Sequence, residues 1–164
     1  RRAAPRAWVS VALIHWPAPS QALSVEGWEA MGRVQAAGRT RAIGVSNFLA
    51  DHLEMLQAET TVVPAVNQIE LHPTFQQTEL SARTRAQGIA VEAYSPLGQG
   101  SDLTAAAVTA LAKTHDATAA QIVLAWHLTI GNIVIPKSSH AHRMRENLAA
   151  VDITLSRVAT DPIN

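Results

Sequence analysis

Polar and aromatic side chains follow five short apolar runs, and they are the residues best suited to chemistry. They are mostly amides, hydroxyls, imidazoles and a phenol, and Glu70 and Glu92 are the only acids close to these positions. A paired-carboxylate mechanism is therefore weakly supported, whereas amides and hydroxyls suit a neutral ligand group such as a carboxamide. The sets are His15-Trp16-Pro17, Ser46-Asn47-Phe48, Gln68-Ile69-Glu70-Leu71-His72-Pro73, Tyr94-Ser95-Pro96-Leu97-Gly98 and Pro136-Lys137-Ser138-Ser139.

A basic cluster after residue 136 indicates a second kind of site. Lys137 is one of only two lysines, and it is followed by Ser138, Ser139 and, on a predicted short helix, Arg143. A lysine, hydroxyls and an arginine at a helix N-terminus favour phosphate, because the helix dipole and the donors act on the same anion. A solvated basic face is an equally good interpretation of these residues alone.

Tyr94 and the histidines each have a structural and a functional interpretation. Tyr94 is the only tyrosine, and its ring can either pack in the core or stack on a ligand beside the glycine-containing loop that follows.

His15 and His72 both follow apolar runs, where a structural histidine is commoner than a catalytic one. No metal site is expected, because no third ligand accompanies His140 and His142. Surface or helical positions are expected for His52, His115, His127, His140 and His142.

The apolar runs are short, nearly continuous in hydrophobicity and rich in β-branched residues, which predicts buried parallel strands. The amphipathic segments between them predict helices. Thr118 and Gln121 form a predicted capping box, and Gly38, Gly88 and Gly131 are placed to end helices in left-handed turns. This alternation predicts right-handed βαβ crossovers. The predicted strands are 9–14, 42–45, 66–69, 89–93 and 133–135, and the predicted helices are 25–37, 49–57, 76–87, 103–114, 119–130 and 141–148.

Composition and length limit the class of protein. The chain has 164 residues, 48% hydrophobic and 16% charged, with thirteen basic and thirteen acidic residues and no cysteine. This composition disfavours an intrinsically disordered chain, a disulfide-stabilised scaffold and a nucleic-acid-binding protein. Five βα units are close to five eighths of a (β/α)₈ barrel of ~250 residues, but a doubly wound sheet has similar spacing. The chain begins at Arg1 rather than methionine, so an upstream part is expected.

Five ordered motifs together resemble the aldo-keto reductase family, and within it the 2,5-diketo-gluconate reductase-like members. They cover most of residues 9–148 and are more specific together than any one of them alone. The motifs are Leu13-Ile14-His15-Trp16-Pro17, Ile43-Gly44-Val45-Ser46-Asn47-Phe48, Val66-Asn67-Gln68-Ile69-Glu70-Leu71-His72-Pro73, Val91-Glu92-Ala93-Tyr94-Ser95-Pro96-Leu97-Gly98, and Val134-Ile135-Pro136-Lys137-Ser138 with Arg143, Glu146 and Asn147.

The resemblance implies an α/β fold, an incomplete (β/α)₈ TIM barrel of strands four to eight, as one partial domain over residues 1–164. It also implies a role for each site residue. His15 corresponds to the active-site histidine that orients the substrate carbonyl. The implied cofactor-binding residues are Ser46, Asn47 and Gln68 for the nicotinamide carboxamide, Tyr94 for stacking on the nicotinamide, Ser95 and Leu97 for the pyrophosphate, Lys137, Ser138 and Arg143 for the 2′-phosphate, and Glu146 and Asn147 for the adenine.

The implied function is that of an NADP(H)-dependent oxidoreductase that reduces aldehydes and ketones to alcohols by hydride transfer. NADP(H) is expected over NAD(H), because the extra phosphate needs the extra donors Lys137 and Arg143. The family's catalytic tyrosine, aspartate and lysine belong before strand four and have no counterparts in this chain, and losing the proton donor forfeits a factor of about 10²–10⁴. The alternative is a non-catalytic chain that binds NADP(H) or a partner at most.

Further expectations concern the substrate, the cellular location, the oligomeric state and the two ends of the chain. The resemblance implies a small-molecule carbonyl substrate, and the whole protein is expected to be a monomer. The absence of a signal-like start predicts a cytoplasmic location, and the balanced charge and the lack of a long apolar stretch predict neither a nucleic-acid nor a membrane partner. Residues 3–8 depart from the family's usual helix-to-strand approach, and residues 156–164 are too short for its final helix and substrate-shaping tail.

Overall fold

The structure is a computed structural model that describes residues 9–161 and residue 163. The departure expected at residues 3–8 therefore lies outside the described residues. The chain forms two compact units, one comprising residues up to 68 together with 79–90, the other comprising 69–78 and the residues from 91 onward. The single domain expected over residues 1–164 stays a prediction.

The first unit contains a parallel arrangement of strands connected by helices. Strands β1 (Val9–Ile14) and β2 (Thr40–Ser46) are joined by helix α1 (Gln21–Ala36), and helix α2 (Ala50–Glu59) leads to β3 (Val66–Glu70). β1 pairs in parallel with β2, which pairs in parallel with the first residues of β3. Most of helix α3 (Thr78–Ala86) belongs to this unit.

Helix α1 begins four residues earlier than the apolar pattern predicts. The Ser20 side chain accepts a hydrogen bond from the Leu23 backbone N–H, so the cap lies well before the first apolar residue of the buried face. Trp28 is buried on that face, and its indole N–H donates to the Val62 carbonyl at 2.8 Å. The helix ends as predicted at Gly38, which is left-handed with φ 69°.

Gly44 allows two strands of this unit to approach closely. A Cβ at this position would lie 2.6 Å from Val66 Cγ1 and 2.7 Å from the Val66 carbonyl oxygen. Only glycine therefore fits between β2 and β3 without displacing the backbone. A buried hydrophobic cluster of the same unit consists of Trp28, Ile43, Val45, Phe48, Leu53, Leu56 and Ile89.

The second unit is built around a helix that is apolar on all sides. Helix α5 (Ala119–Thr129) starts at the predicted capping box, in which Thr118 and Gln121 exchange backbone-to-side-chain hydrogen bonds of 2.9 and 3.2 Å. Six consecutive residues of this helix are buried, which is typical of a helix enclosed in a core. The other elements are β4 (Ala90–Tyr94), α4 (Ala106–Thr114), β5 (Ile133–Val134), α6 (Ala141–Ala149) and α7 (Arg157–Thr160).

Strands β4 and β5 also pair in parallel, with Glu92 opposite Ile133 and Ala93 opposite Val134. The five predicted strands and the alternation with helices are thus confirmed, but the burial predicted for all five strands is not found at β1 and β5, neither of which contains a buried residue. Two predictions were incomplete. The predicted helix 103–114 is a kinked 3₁₀ segment, Gly98–Thr104, followed by α4, and the short helix α7 was not predicted. Among the residues that the structure describes, no helix is long and apolar enough to cross a membrane.

Candidate functional site

In the first unit, four of the predicted site residues lie together where β1 and β2 end, with Ser46 paired to Gln68 in the middle of β3. The Ser46 hydroxyl donates to the Gln68 carbonyl at 2.9 Å, and the Asn47 backbone N–H donates to the same carbonyl at 2.9 Å. The Asn47 side-chain amide donates to the His15 carbonyl at 3.0 Å and to the Ser46 hydroxyl at 3.1 Å. These bonds fix an amide-rich cluster, because the carboxyl ends of parallel strands lie at one edge of a sheet.

The backbone of Asn47 contributes to this arrangement. Asn47 is left-handed with φ 60°, a conformation that asparagine adopts more easily than most residues. Ser46 is buried, with 1% exposure. Asn47 and Gln68 are partly exposed, so their side chains lie at the surface of the cluster. His15 is exposed and lies edge-on to Trp16, with ring centroids 6.3 Å apart.

In the second unit, Tyr94 ends β4 next to the segment that follows β3. The Leu71 backbone N–H donates to the Tyr94 carbonyl at 3.4 Å. Burial, and secondly the negative charge of Glu70, raise the pKa of the Tyr94 phenol above its ordinary value of 10.0. The phenol is therefore neutral at physiological pH, and its partly exposed ring is an uncharged stacking surface.

The loop after Tyr94 is held in an unusual backbone conformation. Ser95, Gly98, Gln99 and Gly100 all have positive φ, at 48°, 54°, 55° and 100°. The Gly98 N–H donates to the Ser95 carbonyl at 2.9 Å, and the Gly100 N–H donates to the Leu97 carbonyl at 2.8 Å. Successive turns of this kind make concave backbone surfaces that suit anions.

The predicted phosphate-binding residues lie at and before the start of α6. Lys137 and Arg143 are exposed, and no carboxylate within residues 9–161 forms an ion pair with either cation. The Ser138 hydroxyl accepts the His140 backbone N–H at 3.1 Å. Glu146 and Asn147 follow on the helix and are partly exposed. Arg143 and Asn147 are four residues apart, so they lie on the same face of α6.

An apolar cavity of about 500 Å³ lies beside this helix, and it includes only one of the predicted site residues. Asn147 lines it, whereas Lys137, Ser138, Arg143 and Glu146 do not. Most of the remaining lining is aliphatic, from α5, β5 and α6, and includes Leu124, Leu128, Ile133, Val134, Met144 and Leu148.

A buried polar group of the second unit is formed by residues that lie far apart in the chain and were not predicted as a site. The Nδ1 atom of His72 lies 2.8 Å from Asp102 Oδ2, and the Thr74 hydroxyl donates to Asp102 Oδ1 at 2.8 Å. The position of His72 before Pro73 was a weak signal. Nothing in the sequence singles out Asp102 as its partner.

His127 lies on a helix, as expected, but it is fully buried. Its Nε2 lies 2.9 Å from the Pro96 carbonyl, and its Nδ1 lies 3.1 Å from the Asn132 side-chain nitrogen. Burial lowers the pKa of His127 from 6.5 to about 4. The ring is therefore neutral, with Nε2–H donating to Pro96 and Nδ1 accepting from Asn132. His140 and His142 lie with their rings 5.7 Å apart, and no metal-binding cluster is present in the part of the chain that the structure describes.

Comparison with known proteins decides the relationship. A model of the Aldo/keto reductase family matches residues 8–163. The chain belongs to the aldo-keto reductase family. It is 49% identical over 149 residues to an aldo-keto reductase of Mycobacterium sp. (strain KMS), covering 91% of this chain and 54% of that protein. It is 43% identical over 152 residues to methylglyoxal reductase DkgA of Yersinia pestis, covering 92% of this chain and 55% of that protein.

Solved structures of aldo-keto reductases give the fold. The crystal structure of a Gox0644 mutant in complex with NADPH superposes with a TM-score of 0.91 at 43% identity, covering 96% of this chain and 58% of that one. The fold is therefore a partial (β/α)₈ barrel with five parallel strands, as predicted, and the doubly wound sheet is excluded. The chain spans about half the length of the curated relatives that it matches.

Proposed function

We propose that this chain supplies most of the NADP(H)-binding residues of an oxidoreductase that reduces aldehydes and ketones to alcohols. The observation that carries the proposal is the cluster of Ser46, Asn47 and Gln68 at the strand ends. Hydrogen bonds of 2.9 to 3.1 Å fix the Ser46 hydroxyl and the Asn47 side-chain amide, and the backbone carbonyl of Gln68 accepts two of these bonds. The amides of this cluster suit the donors and acceptors of a carboxamide, so the residues fit the nicotinamide end of the cofactor.

The other end of the cofactor fits the basic cluster. Lys137 and Arg143 carry exposed charges that no described carboxylate neutralises. A phosphate dianion is the ligand that such a pair binds most strongly, because charge-assisted hydrogen bonds are about twice as strong as neutral ones. These two side chains are the proposed 2′-phosphate site, with Ser138 beside them, and Glu146 and Asn147 contact the adenine.

The chain's own residues then have separate tasks. NADPH supplies the hydride when it is bound. Tyr94 offers a neutral ring face for the nicotinamide, and Ser95 and Leu97 lie on the turn-rich loop that contacts the pyrophosphate. His15 is exposed at the end of β1, where its ring can donate a hydrogen bond to a carbonyl oxygen and orient the substrate. The substrate class is a small carbonyl compound, and the proposed location is the cytoplasm, with the whole protein a monomer.

A second candidate function is cofactor binding without turnover. The observation that favours it is that Tyr94 is the only tyrosine among the 164 residues, and its proposed role is stacking rather than proton donation. Without a proton donor at the carbonyl oxygen, reduction loses about 10²–10⁴ in rate.

Two measurements separate these functions. The 164-residue chain is titrated into NADPH while the fluorescence of the cofactor is followed, and its oxidation is measured with methylglyoxal as the carbonyl substrate. We expect saturable binding with little turnover. The N-terminal part of the Yersinia pestis methylglyoxal reductase is then fused before Val9 to restore the length of the relatives, and we expect turnover in this chimera.

The chimera with His15→Leu is the control for carbonyl orientation and is expected to keep NADPH binding while losing most of its turnover. Binding without turnover in the unmodified chimera would favour the second function. Absence of NADPH binding in both proteins would contradict both proposals.

A further inference from the structure

Asp102 is a fully buried carboxylate in the second unit. The residue is 1% exposed, and its side chain is not exposed at all. Its two oxygens differ, since Oδ1 accepts the Thr74 hydroxyl at 2.8 Å, whereas Oδ2 lies 2.8 Å from His72 Nδ1 but accepts no hydrogen bond from any described residue. A buried carboxylate is costly unless it is paired and hydrogen-bonded, and the Thr74 hydrogen bond together with the nearby imidazole offsets part of that cost.

His72 and Thr74 belong to a tight turn that follows β3. The His72 N–H donates to the Phe75 carbonyl at 3.2 Å, and the Phe75 N–H donates back to the His72 carbonyl at 2.8 Å. The Thr74 hydroxyl also lies 3.1 Å from His72 Nδ1. The turn therefore presents an imidazole and a hydroxyl together, and Asp102 joins it to the 3₁₀ segment Gly98–Thr104.

The Asp102 carboxylate packs directly against the loop that follows Tyr94. A Cβ on Gly98 would overlap Asp102 Oδ2 and would lie 2.8 Å from the Ser101 hydroxyl oxygen. The Ser101 hydroxyl in turn donates to the Gly98 carbonyl at 2.7 Å. The Asp102 side chain thus packs against Gly98 in its left-handed conformation, and the turn at His72 holds Asp102 in place.

We propose that Asp102 is a positioning residue for the pyrophosphate-binding loop. Through its contacts with His72 and Thr74, it holds residues 95–101 in the backbone conformation that the pyrophosphate of NADP(H) requires. Preorganised backbone groups bind an anion without paying the cost of ordering the loop on binding. This inference rests on the proposed function, and it adds three residues to which the family resemblance assigned no role: His72, Thr74 and Asp102.

The test compares two ligands that differ in the pyrophosphate. NADPH contacts the loop, the nicotinamide-binding residues and the basic cluster, whereas adenosine 2′-phosphate lacks both the pyrophosphate and the nicotinamide and contacts only the basic cluster and the adenine-binding residues Glu146 and Asn147. In the 164-residue chain, Asp102→Ala should raise the Kd for NADPH about 10-fold or more, and Thr74→Val about 3-fold, because each removes contacts that hold the carboxylate in place. Asp102→Asn keeps the shape and an acceptor for Thr74, so it should restore much of the affinity that the alanine variant loses.

The Kd for adenosine 2′-phosphate should stay within about twofold in all three variants. It also reports folding, since an unfolded variant would bind neither ligand. Asp152→Ala, which removes an exposed aspartate of the same unit, should change neither Kd. If Asp102→Ala does not fold, the Kd values of Thr74→Val for the two ligands test the inference instead.

The inference is overturned if the folded variants bind NADPH as the parent chain does, or if both ligands weaken equally. If the parent chain binds neither ligand, the proposed function itself fails. That result is distinct from any result obtained with the variants.

Discussion

Asn47 donates its side-chain amide to the carbonyl oxygen of His15 at 3.0 Å, so the end of β2 is tied to the residue that follows β1. The same side chain donates to the Ser46 hydroxyl at 3.1 Å. One residue therefore links the proposed carbonyl-orienting histidine to the proposed carboxamide site. We therefore expect a change at Asn47 to affect both the geometry of the strand ends and the affinity for the cofactor.

Two substitutions separate these effects at Asn47. Asn47→Gly tolerates the φ of 60° and removes only the side chain, so the Kd for NADPH should rise about 10-fold through the lost hydrogen bonds. Asn47→Ala should weaken NADPH equally and cost about 1 kcal/mol more in the free energy of unfolding, because alanine is strained at positive φ. Fluorescence titration and urea unfolding measure the two quantities, and equal stabilities of the two variants would contradict the strain argument.

Replacing a cation of the basic cluster should change cofactor selectivity. Lys137→Met or Arg143→Met should weaken NADPH by about 10-fold or more while leaving NADH nearly unaffected, because NADH has no 2′-phosphate for these donors. The matched controls are Lys113→Met and Arg145→Met, which remove exposed charges at other positions. Equal weakening of both cofactors would contradict the 2′-phosphate assignment.

Acid should destabilise the chain through His127. Burial lowers the pKa of this histidine from 6.5 to about 4, with the Pro96 carbonyl opposing the effect. Between these values the unfolded chain binds a proton that the folded chain does not, so stability falls as the pH decreases from 6.5 to 4. The total loss in the free energy of unfolding is about 3 kcal/mol, and above pH 6.5 His127 does not contribute to the pH dependence of stability.

The difference in stability between the parent chain and a His127 variant separates the contribution of His127 from the contributions of the carboxylates. His127→Gln keeps a donor for the Pro96 carbonyl but has no titrating group, so its stability should decline less in acid than that of the parent chain. His115→Gln changes an exposed histidine and serves as the control. Parallel stability curves of the parent and His127→Gln between pH 7 and pH 4 would refute the prediction.

Glycine substitutions should act in opposite directions within the first unit. Gly44→Ala would place a methyl group 2.6 Å from Val66 Cγ1 and should cost about 1–3 kcal/mol in stability. Gly32→Ala lies in the interior of α1, with its nearest neighbour at 4.0 Å, and should stabilise the chain by about 0.5–1 kcal/mol. Thermal unfolding distinguishes them, and a destabilising Gly32→Ala would contradict the packing argument.

The strands could be predicted because their signal is local. A short apolar run predicts a strand, and the run at β1 predicts its observed bounds, Val9–Ile14, although none of its residues is buried. The start of α1 was missed because residues 21–23, which follow the Ser20 cap, are exposed and do not belong to the buried face of the helix. The adjacency of Ser46 and Gln68 was also accessible, since consecutive parallel strands end at the same edge. The family resemblance read from the motifs is confirmed, and the individual cofactor contacts stay predictions.

The Asp102 network could not be predicted because it depends on packing between distant segments. His72 and Asp102 are joined only in the folded unit, and an aspartate after a glycine-rich loop is usually an exposed turn residue. The 3₁₀ segment Gly98–Thr104 was missed for a different, local reason, since its left-handed residues Gln99 and Gly100 interrupt any periodic signal. The complete burial of His127 likewise depends on the loop that packs against it at Pro96.

The left-handed backbone at Asn47 and Ser95 restricts which amino acids the fold tolerates at these two positions. Both side chains belong to the proposed cofactor site, and both main chains occupy a conformation that β-branched residues avoid. A library selected only for folding would therefore already be depleted of valine, isoleucine and threonine at these positions. Sparse variation at Asn47 or Ser95 would then reflect backbone shape as much as ligand binding, and only variants that share the backbone preference, such as glycine, report on the ligand itself.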